Sequence, residues 1–190
     1  MRILNSLRWL VGLVVKEYLI FDIYKYDLLG IKEPPSVPAP YKLSQLESTD
    51  EILISEDTDL RKCHSAINAD SRGFGIWKNN LLLGVCWIWS GEYYKKKRNF
   101  LPLKSDEAEL VFLSVAKSAR GEGLAKLLIQ HASYYTKQNQ YNKIYARIWH
   151  SNTPSIRSFQ NAGWFKHSKV IQIHVKGISK PLRFTKIFSQ

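Results

Sequence analysis

At 190 residues and 45% hydrophobic, the chain can bury one sizeable core, and an ordinary globular protein is expected. Its two cysteines, Cys63 and Cys86, make no disulfide framework and stand in no metal-ligand spacing, which excludes a disulfide-stapled scaffold and a cysteine-bound metal. A reducing, cytoplasmic setting fits, and the net charge of +12 calls for anionic partners such as a small anionic ligand, a membrane face or nucleic acid.

From Met1 to Leu29 the sequence predicts an apolar helix. Asn5, Arg8, Gly12 and Lys16 form one narrow polar stripe, while Ile3, Leu4, Leu7, Leu10, Val11, Val14, Val15 and Leu19 fill a wide apolar arc. Trp9 to Val15 is the longest uncharged stretch before Lys16, too short to span a bilayer. Lys16-Glu17 follows with no small-residue cleavage site, so no signal peptide is read. Two readings stay open. In one, the helix lies in the interface of an anionic membrane, with Trp9, Tyr18, Tyr24 and Tyr26 at headgroup level. In the other, it packs on the rest of the chain or on a second subunit, as in a homodimer.

Pro34-Pro35-Ser36-Val37-Pro38-Ala39-Pro40 cannot be helical and reads as a spacer, dividing the chain into 1–40 and 41–190. Tyr41 to Leu46 reads as a strand, and Asp57 to Asn68 as a helix capped near Asp57 or Thr58. Phe74 to Lys78 and Leu81 to Trp89 are strands joined by the hairpin signal Asn79-Asn80. Gly91 to Lys104 is a basic-aromatic excursion. Its Lys95-Lys96-Lys97-Arg98 run reads as a solvated loop tip; Tyr93 and Tyr94 beside it could stack bases. Because the other basic residues are spread along the chain, nucleic acid is the weaker partner.

A dense apolar strand, Leu110 to Val115, is followed by a polar corner, Ala116 to Ala119, and then by Arg120-Gly121-Glu122-Gly123-Leu124-Ala125. Leu124, Leu127, Leu128, His131 and Tyr135 continue at helical spacing. The first amides of a helix lack partners within it and carry partial positive charge, so a phosphate can dock there. Gly121, Gly123 and small Ala125 leave room for close approach. A P-loop is excluded because Leu124-Ala125 stands where Lys-Ser/Thr is required, and a dinucleotide fingerprint fails at Lys126. Tyr141 to Trp149 reads as a strand. A short helix then carries Thr153 as N-cap, Pro154 at its first position, Ile156 and Phe159, and it stops at Gly163. A strand starts at Trp164, and Lys169 to Val175 with Leu182 to Phe188 predicts a closing antiparallel pair.

Two of these strings, R-x-x-G-x-A at Arg120 to Ala125 and N-x-x-S…F-x-x-x-G-W-F at Asn152 to Phe165, resemble the acetyl-CoA loop and the closing half of the GNAT superfamily of N-acetyltransferases. The resemblance covers about Tyr41 to Phe188 and is strongest from Leu110 to Phe165. It implies an α/β fold with a mixed, mostly antiparallel central sheet flanked by helices, here preceded by the N-terminal apolar helix. The implied activity is acyl-CoA-dependent N-acyltransfer, acetyl from acetyl-CoA to a primary amine on an amino sugar, a lipid-linked acceptor or a protein. The backbone of Leu113, Ser114 and Val115 is implied to pair with pantetheine. Gly121, Glu122, Gly123, Leu124, Ala125 and Lys126 would hold the pyrophosphate, with Arg120 just before them and Asn152 near the pantetheine arm. No metal is implied.

The chain departs from the family where acid and base are often found. Phe159 stands at the position of a thiolate-protonating tyrosine, and Arg147 at that of a glutamate base. Glu107 and Glu109 begin the strand before the loop, where other relatives place a base, and strict alternation would point both to the side of Val111 and Leu113. Glu109 and His150 are therefore the catalytic candidates, His150 because an imidazole can move protons near neutral pH. Their structural alternatives are a solvated strand entrance and a hydrogen-bonded strand end. A non-catalytic CoA-binding or membrane-surface domain is the competing function.

Overall fold

The computed structural model describes residues 14–188 apart from 49, 69 and 99. Branched and aromatic residues favour extended backbone, and Tyr18, Ile20, Phe21, Ile23, Tyr24 and Tyr26 crowd the first described segment. Val15–Asp27 is strand β1, followed by a 3-10 turn at Leu28–Gly30. The helix expected over Met1 to Leu29 is thus a strand over Val15–Asp27, and its earlier part lies outside the described residues. Helical spacing was misleading because β1 is covered on both faces. Phe21 and Ile23 join one buried cluster and Tyr24 and Leu28 another, so polar alternation never shows.

The remaining strands are β2 (Tyr41–Gln45), β3 (Ser71–Lys78), β4 (Leu81–Trp89), β5 (Glu107–Val115), β6 (Lys143–Trp149), β7 (Phe165–Val175) and β8 (Leu182–Ile187). The eight strands form one sheet in the order β2-β3-β4-β5-β6-β1-β7-β8. Every neighbouring pair is antiparallel except β5 with β6. β1 pairs with β6 from Phe21↔Trp149 to Asp27↔Lys143 and with β7 from Val15↔Val175 to Lys25↔Phe165. The segment before the proline-rich connector therefore lies inside the same sheet as residues 41–188.

Helices cover both faces. On one, α4 (Leu124–Gln138) and α5 (Thr153–Asn161) pack Leu124, Leu128, Ile129, Ala132 and Phe159 on Phe74, Ile76, Ile144 and Ala146. Buried Ser133 and Thr136 of α4 donate back to the Ile129 and Ala132 carbonyls at 2.8 and 2.6 Å, which satisfies their hydroxyls. On the other face, α1 (Asp50–Leu53), α2 (Thr58–Arg61), a 3-10 turn at Lys62–Ala66 and α3 (Gly91–Lys97) bury Ile52, Leu60, Ala66 and Tyr94 against Trp87 and Trp89. β4 is buried almost throughout, as its unbroken apolar run predicts.

Local chemistry explains the turns. Asn79 and Asn80 adopt φ of 49° and 65°, the paired left-handed geometry of a tight hairpin. Asp57 caps α2 through the Asp59 and Leu60 amides. In α5 the cap is Asn152, whose side chain accepts from the Ser155 amide at 3.2 Å, so Thr153 is the first helical residue and not the cap. The Gly91 to Lys104 excursion folds partly as α3: Lys95, Lys96 and Lys97 stay exposed while Arg98 turns inward.

Deleting residues 1–30 removes the strand that joins β6 to β7 and opens two sheet edges at once. The truncated chain is expected to lose its cooperative thermal transition and to aggregate. A soluble truncated protein with a sharp transition in calorimetry would contradict the intercalated strand.

Candidate active site

Parallel β5 and β6 pair only from Glu107↔Lys143 to Leu110↔Ala146. Beyond Leu110, β5 continues on β4 alone. A cleft of about 490 Å³ opens beside the unpaired end of β5. One wall is Leu113, Ser114 and Val115; the loop contributes Arg120, Gly121, Gly123, Leu124, Ala125 and Lys126; α5 contributes Asn152, Pro154, Ser155 and Ser158. The loop residues singled out in the sequence meet at this cleft, with Glu122 as the exception. Glu122 is exposed and accepts a hydrogen bond from the Tyr41 hydroxyl.

Gly121 and Gly123 have φ of 91° and 79°, and a Cβ built on either would meet nothing within 4 Å. Gly123 is the N-cap of α4 and supplies no side chain to its first amides. The start of α4 is therefore an uncapped donor set beside the basic side chains Arg120 and Lys126, which suits a pyrophosphate. On these grounds the residues present fit acetyl-CoA.

The loop is tied down from the opposite side of the chain, which the sequence did not reveal. Asp57 accepts the Lys117 amide at 2.7 Å while capping α2. Arg120 donates to Asp59 at 2.9 Å and to the Val115 carbonyl at 3.2 Å. Burial works to raise the Asp57 pKa, but the amides of Lys117, Asp59 and Leu60 outweigh it and hold the carboxyl below its ordinary value. In the sequence, Asp57 and Asp59 carry only a helix-start signal.

A second cleft, of about 430 Å³, lies on the other face of the sheet and is lined by Trp89, Tyr93, Arg98, Phe100, Phe112, Arg147, Gln172 and Arg183 among others. Phe112 lines this cleft and Leu113 the first, so the two adjoin across β5. The register shift between Trp87 and Ile88 decides which of the two faces which side. It resets the alternation, so Leu113 packs with Leu110 on the α4 side and Phe112 on the side of Tyr94. The expectation that Leu113 shares a side with Glu109 fails at this bulge.

Glu109 is 0% exposed. Tyr94 donates to one carboxylate oxygen at 2.6 Å and the Arg98 Nε to the other at 3.0 Å. Burial, then the Glu109 charge, push the Tyr94 phenol far above its ordinary pKa. Glu107 is also buried, accepting from the Lys104 amide at 3.0 Å and from Tyr145 at 3.2 Å. Neither carboxylate is a solvated strand-entrance group. His150 is exposed, with Nδ1 3.2 Å from the Ile20 carbonyl oxygen, and lines neither cleft. Phe159 also lies outside the first cleft: it packs on Trp164 at 4.8 Å and on Tyr24 at 6.4 Å, and neighbouring Ser158 takes its place at the wall. Among the described residues no cluster of His, Cys, Asp and Glu could hold a metal, and no helix is long and apolar enough to cross a membrane.

Asp57→Ala removes a helix cap and the Lys117 anchor together, and should lower Tm by about 2–4 °C near neutral pH, on the order of 1 kcal/mol. A carboxyl with a lowered folded pKa stabilises fully above its unfolded value of about 3.9 and loses that contribution as pH falls through the folded value. The gap between variant and parent in thermal melts should therefore close toward about pH 2; a gap that stays constant on acidification would refute the anchoring role.

The comparisons with known proteins agree with this geometry. No curated protein sequence matches the chain at a significant level. Among solved structures, the tandem GNAT protein from the clavulanic acid biosynthesis pathway is 15% identical, with a TM-score of 0.61 over 93% of this chain and 59% of that one. The GCN5-related N-acetyltransferase from Sphaerobacter thermophilus is 12% identical, with a TM-score of 0.63 over 90% and 56%. The chain thus spans less than two thirds of either structure's length. The ribosomal-protein-S18-alanine N-acetyltransferase from Escherichia coli, 14% identical, aligns over 73% of this chain and 96% of its own, with a TM-score of 0.51. At such identities the likeness shows the fold. The sequence model of the acetyltransferase (GNAT) family matches residues 38–164, which include both clefts' β5 walls, the glycine loop and α5, and the chain belongs to that family.

Proposed function

We propose that the chain transfers an acetyl group from acetyl-CoA to a primary amine of an amino sugar, a lipid-linked acceptor or a protein. The observation that carries this reading is the cleft beside the unpaired end of β5, where an open strand edge and an uncapped helix start face one space. When bound, acetyl-CoA supplies a thioester whose carbonyl an amine can attack. The amides of Gly121 to Lys126 hold its pyrophosphate, with Arg120 and Lys126 adding positive charge. The free backbone edge of Leu113 to Val115 aligns the pantetheine arm, and Asn152 and Ser158 face it from α5. The second cleft holds the acceptor, and the adjoining Phe112 and Leu113 mark where the amine passes through the sheet.

An amine is nucleophilic only after it loses its proton. Glu109, oriented by Arg98, takes that proton through water. No hydroxyl stands at Phe159, so the thiolate leaves with its proton supplied by water. A thiol pKa of about 8.5 makes it a fair leaving group without a dedicated acid. Two observations favour a second reading, a CoA-binding domain that does not catalyse. Phe159 is in the core, and both oxygens of Glu109 are engaged.

Thiol release from acetyl-CoA across a panel of amines separates the two: amine-dependent release is expected, and its absence with every amine, despite CoA binding, would support the non-catalytic reading. Glu109→Gln should cost about a hundredfold in kcat, with the loss shrinking at high pH where free amine accumulates. An unchanged pH-rate profile in Glu109→Gln would remove Glu109 from the proton path and leave it to a water chain.

A further inference from the structure

The acceptor-side cleft has an unusual charge inventory. Arg98, Arg147 and Arg183 come from three separate parts of the chain, the end of α3, β6 and β8, and converge on it. Among the described residues, Arg98 alone of the three forms a salt bridge, with Glu109 at 3.0 Å. Arg147 is half-buried, yet no acceptor or carboxylate among the described residues hydrogen-bonds it. Instead its guanidinium stacks on Phe100 at 4.2 Å and on Phe21 at 4.9 Å. Arg183 stacks on the same Phe100 ring at 4.7 Å, and its Nε donates to the Gln172 side chain at 3.0 Å.

Such an arrangement is costly on its own. Like charges repel across a low-dielectric cleft, and the aromatic faces offset only part of that cost. Burial, followed by the nearby charge of Arg98, lowers the Arg147 pKa from its ordinary value. A planar guanidinium with free donors is shaped to take the two oxygens of a carboxylate or phosphate at once. The aromatic rings fix the planes of Arg147 and Arg183, and Gln172 fixes the reach of Arg183, so the donors are positioned before any ligand arrives.

We propose that this cleft selects acceptor amines that also carry an oxyanion, a carboxylate or a phosphate, bound by Arg147 and Arg183 while the amine points to β5. The proposal rests on the transferase reading for the word acceptor, but the binding it describes does not. An oxyanion neutralises the excess of guanidinium charge that Glu109 leaves. It also holds the ligand in the cleft that Phe112 lines, so that its amino group can face the passage into the CoA cleft. Neutral amines lack that hold.

Calorimetric titration in the presence of CoA tests this with two matched pairs: glucosamine 6-phosphate against glucosamine, and phenylalanine against phenylalaninamide. One pair reads phosphate and the other carboxylate. At least one charged member should bind about tenfold or more tightly than its neutral partner, as expected for a charge-assisted contact. That preference should fall to about twofold or less in both Arg147→Met and Arg183→Gln. Arg147→Met fills the buried site with an apolar chain, and exposed Arg183 on β8 provides a second variant that spares the core. No preference in either pair, from equal binding or from none, overturns the proposal, as does a preference that survives both substitutions. Thiol release is read separately. An oxyanionic amine that binds through Arg147 without being acetylated contradicts the transferase reading and supports the oxyanion site.

Discussion

The parting of β5 from β6 after Leu110 and Ala146 is the constraint on which the rest of the molecule depends. A strand that loses its neighbour exposes backbone donors and acceptors that must find partners. Leu113, Ser114 and Val115 pair on one side with β4 and leave the other open. The gap stays open because each strand is anchored elsewhere. β4 holds β5 through an antiparallel ladder and β1 holds β6 through another. β1 lies where β6 and β7 would otherwise have to meet, so the first described strand holds β6 in its place across the gap from β5.

The glycine loop depends on a second set of contacts that crosses the sheet edge. Asp57 and Asp59, at the start of α2, hold the Lys117 amide and the Arg120 guanidinium. The exposed Arg120–Asp59 pair contributes little stability by itself. Its effect is geometric, since together with the Val115 carbonyl it fixes where the loop leaves β5. The amides at the start of α4 then face the cleft without help from a capping side chain. One bulge in β5 decides what the other face offers: by putting Phe112 and not Leu113 on the side of Glu109, it places an aromatic wall beside the guanidinium cluster, one residue from the first cleft.

Local signals were legible where a single element carried them. The α4 periodicity reflects one buried helix face, and the Asn79-Asn80 turn, the glycines of the loop and Gly163 after α5 each reflect a left-handed conformation that few other residues adopt. The N-terminal segment was not legible. Phe21, Asp22, Ile23 and Tyr24 are all buried, so β1 shows no alternation, and its partners lie more than a hundred residues away. α3 was hidden because Tyr94 is its one buried residue in a run of glycine, lysine and glutamate. For the site, the sequence marked Phe159 and Arg147 by what they are not. Only the packing shows Phe159 in the core and Arg147 stacked on Phe100.

The central claim is that the CoA pyrophosphate sits on the first amides of α4 in the gap beside β5. Amide chemical-shift mapping of the labelled protein titrated with CoA tests it most directly. The account predicts the largest perturbations at Gly121, Gly123, Leu124, Ala125 and Lys126, with a second group at Leu113 to Val115. Perturbations concentrated around Arg98 and Arg183, with the loop amides unmoved, would contradict it.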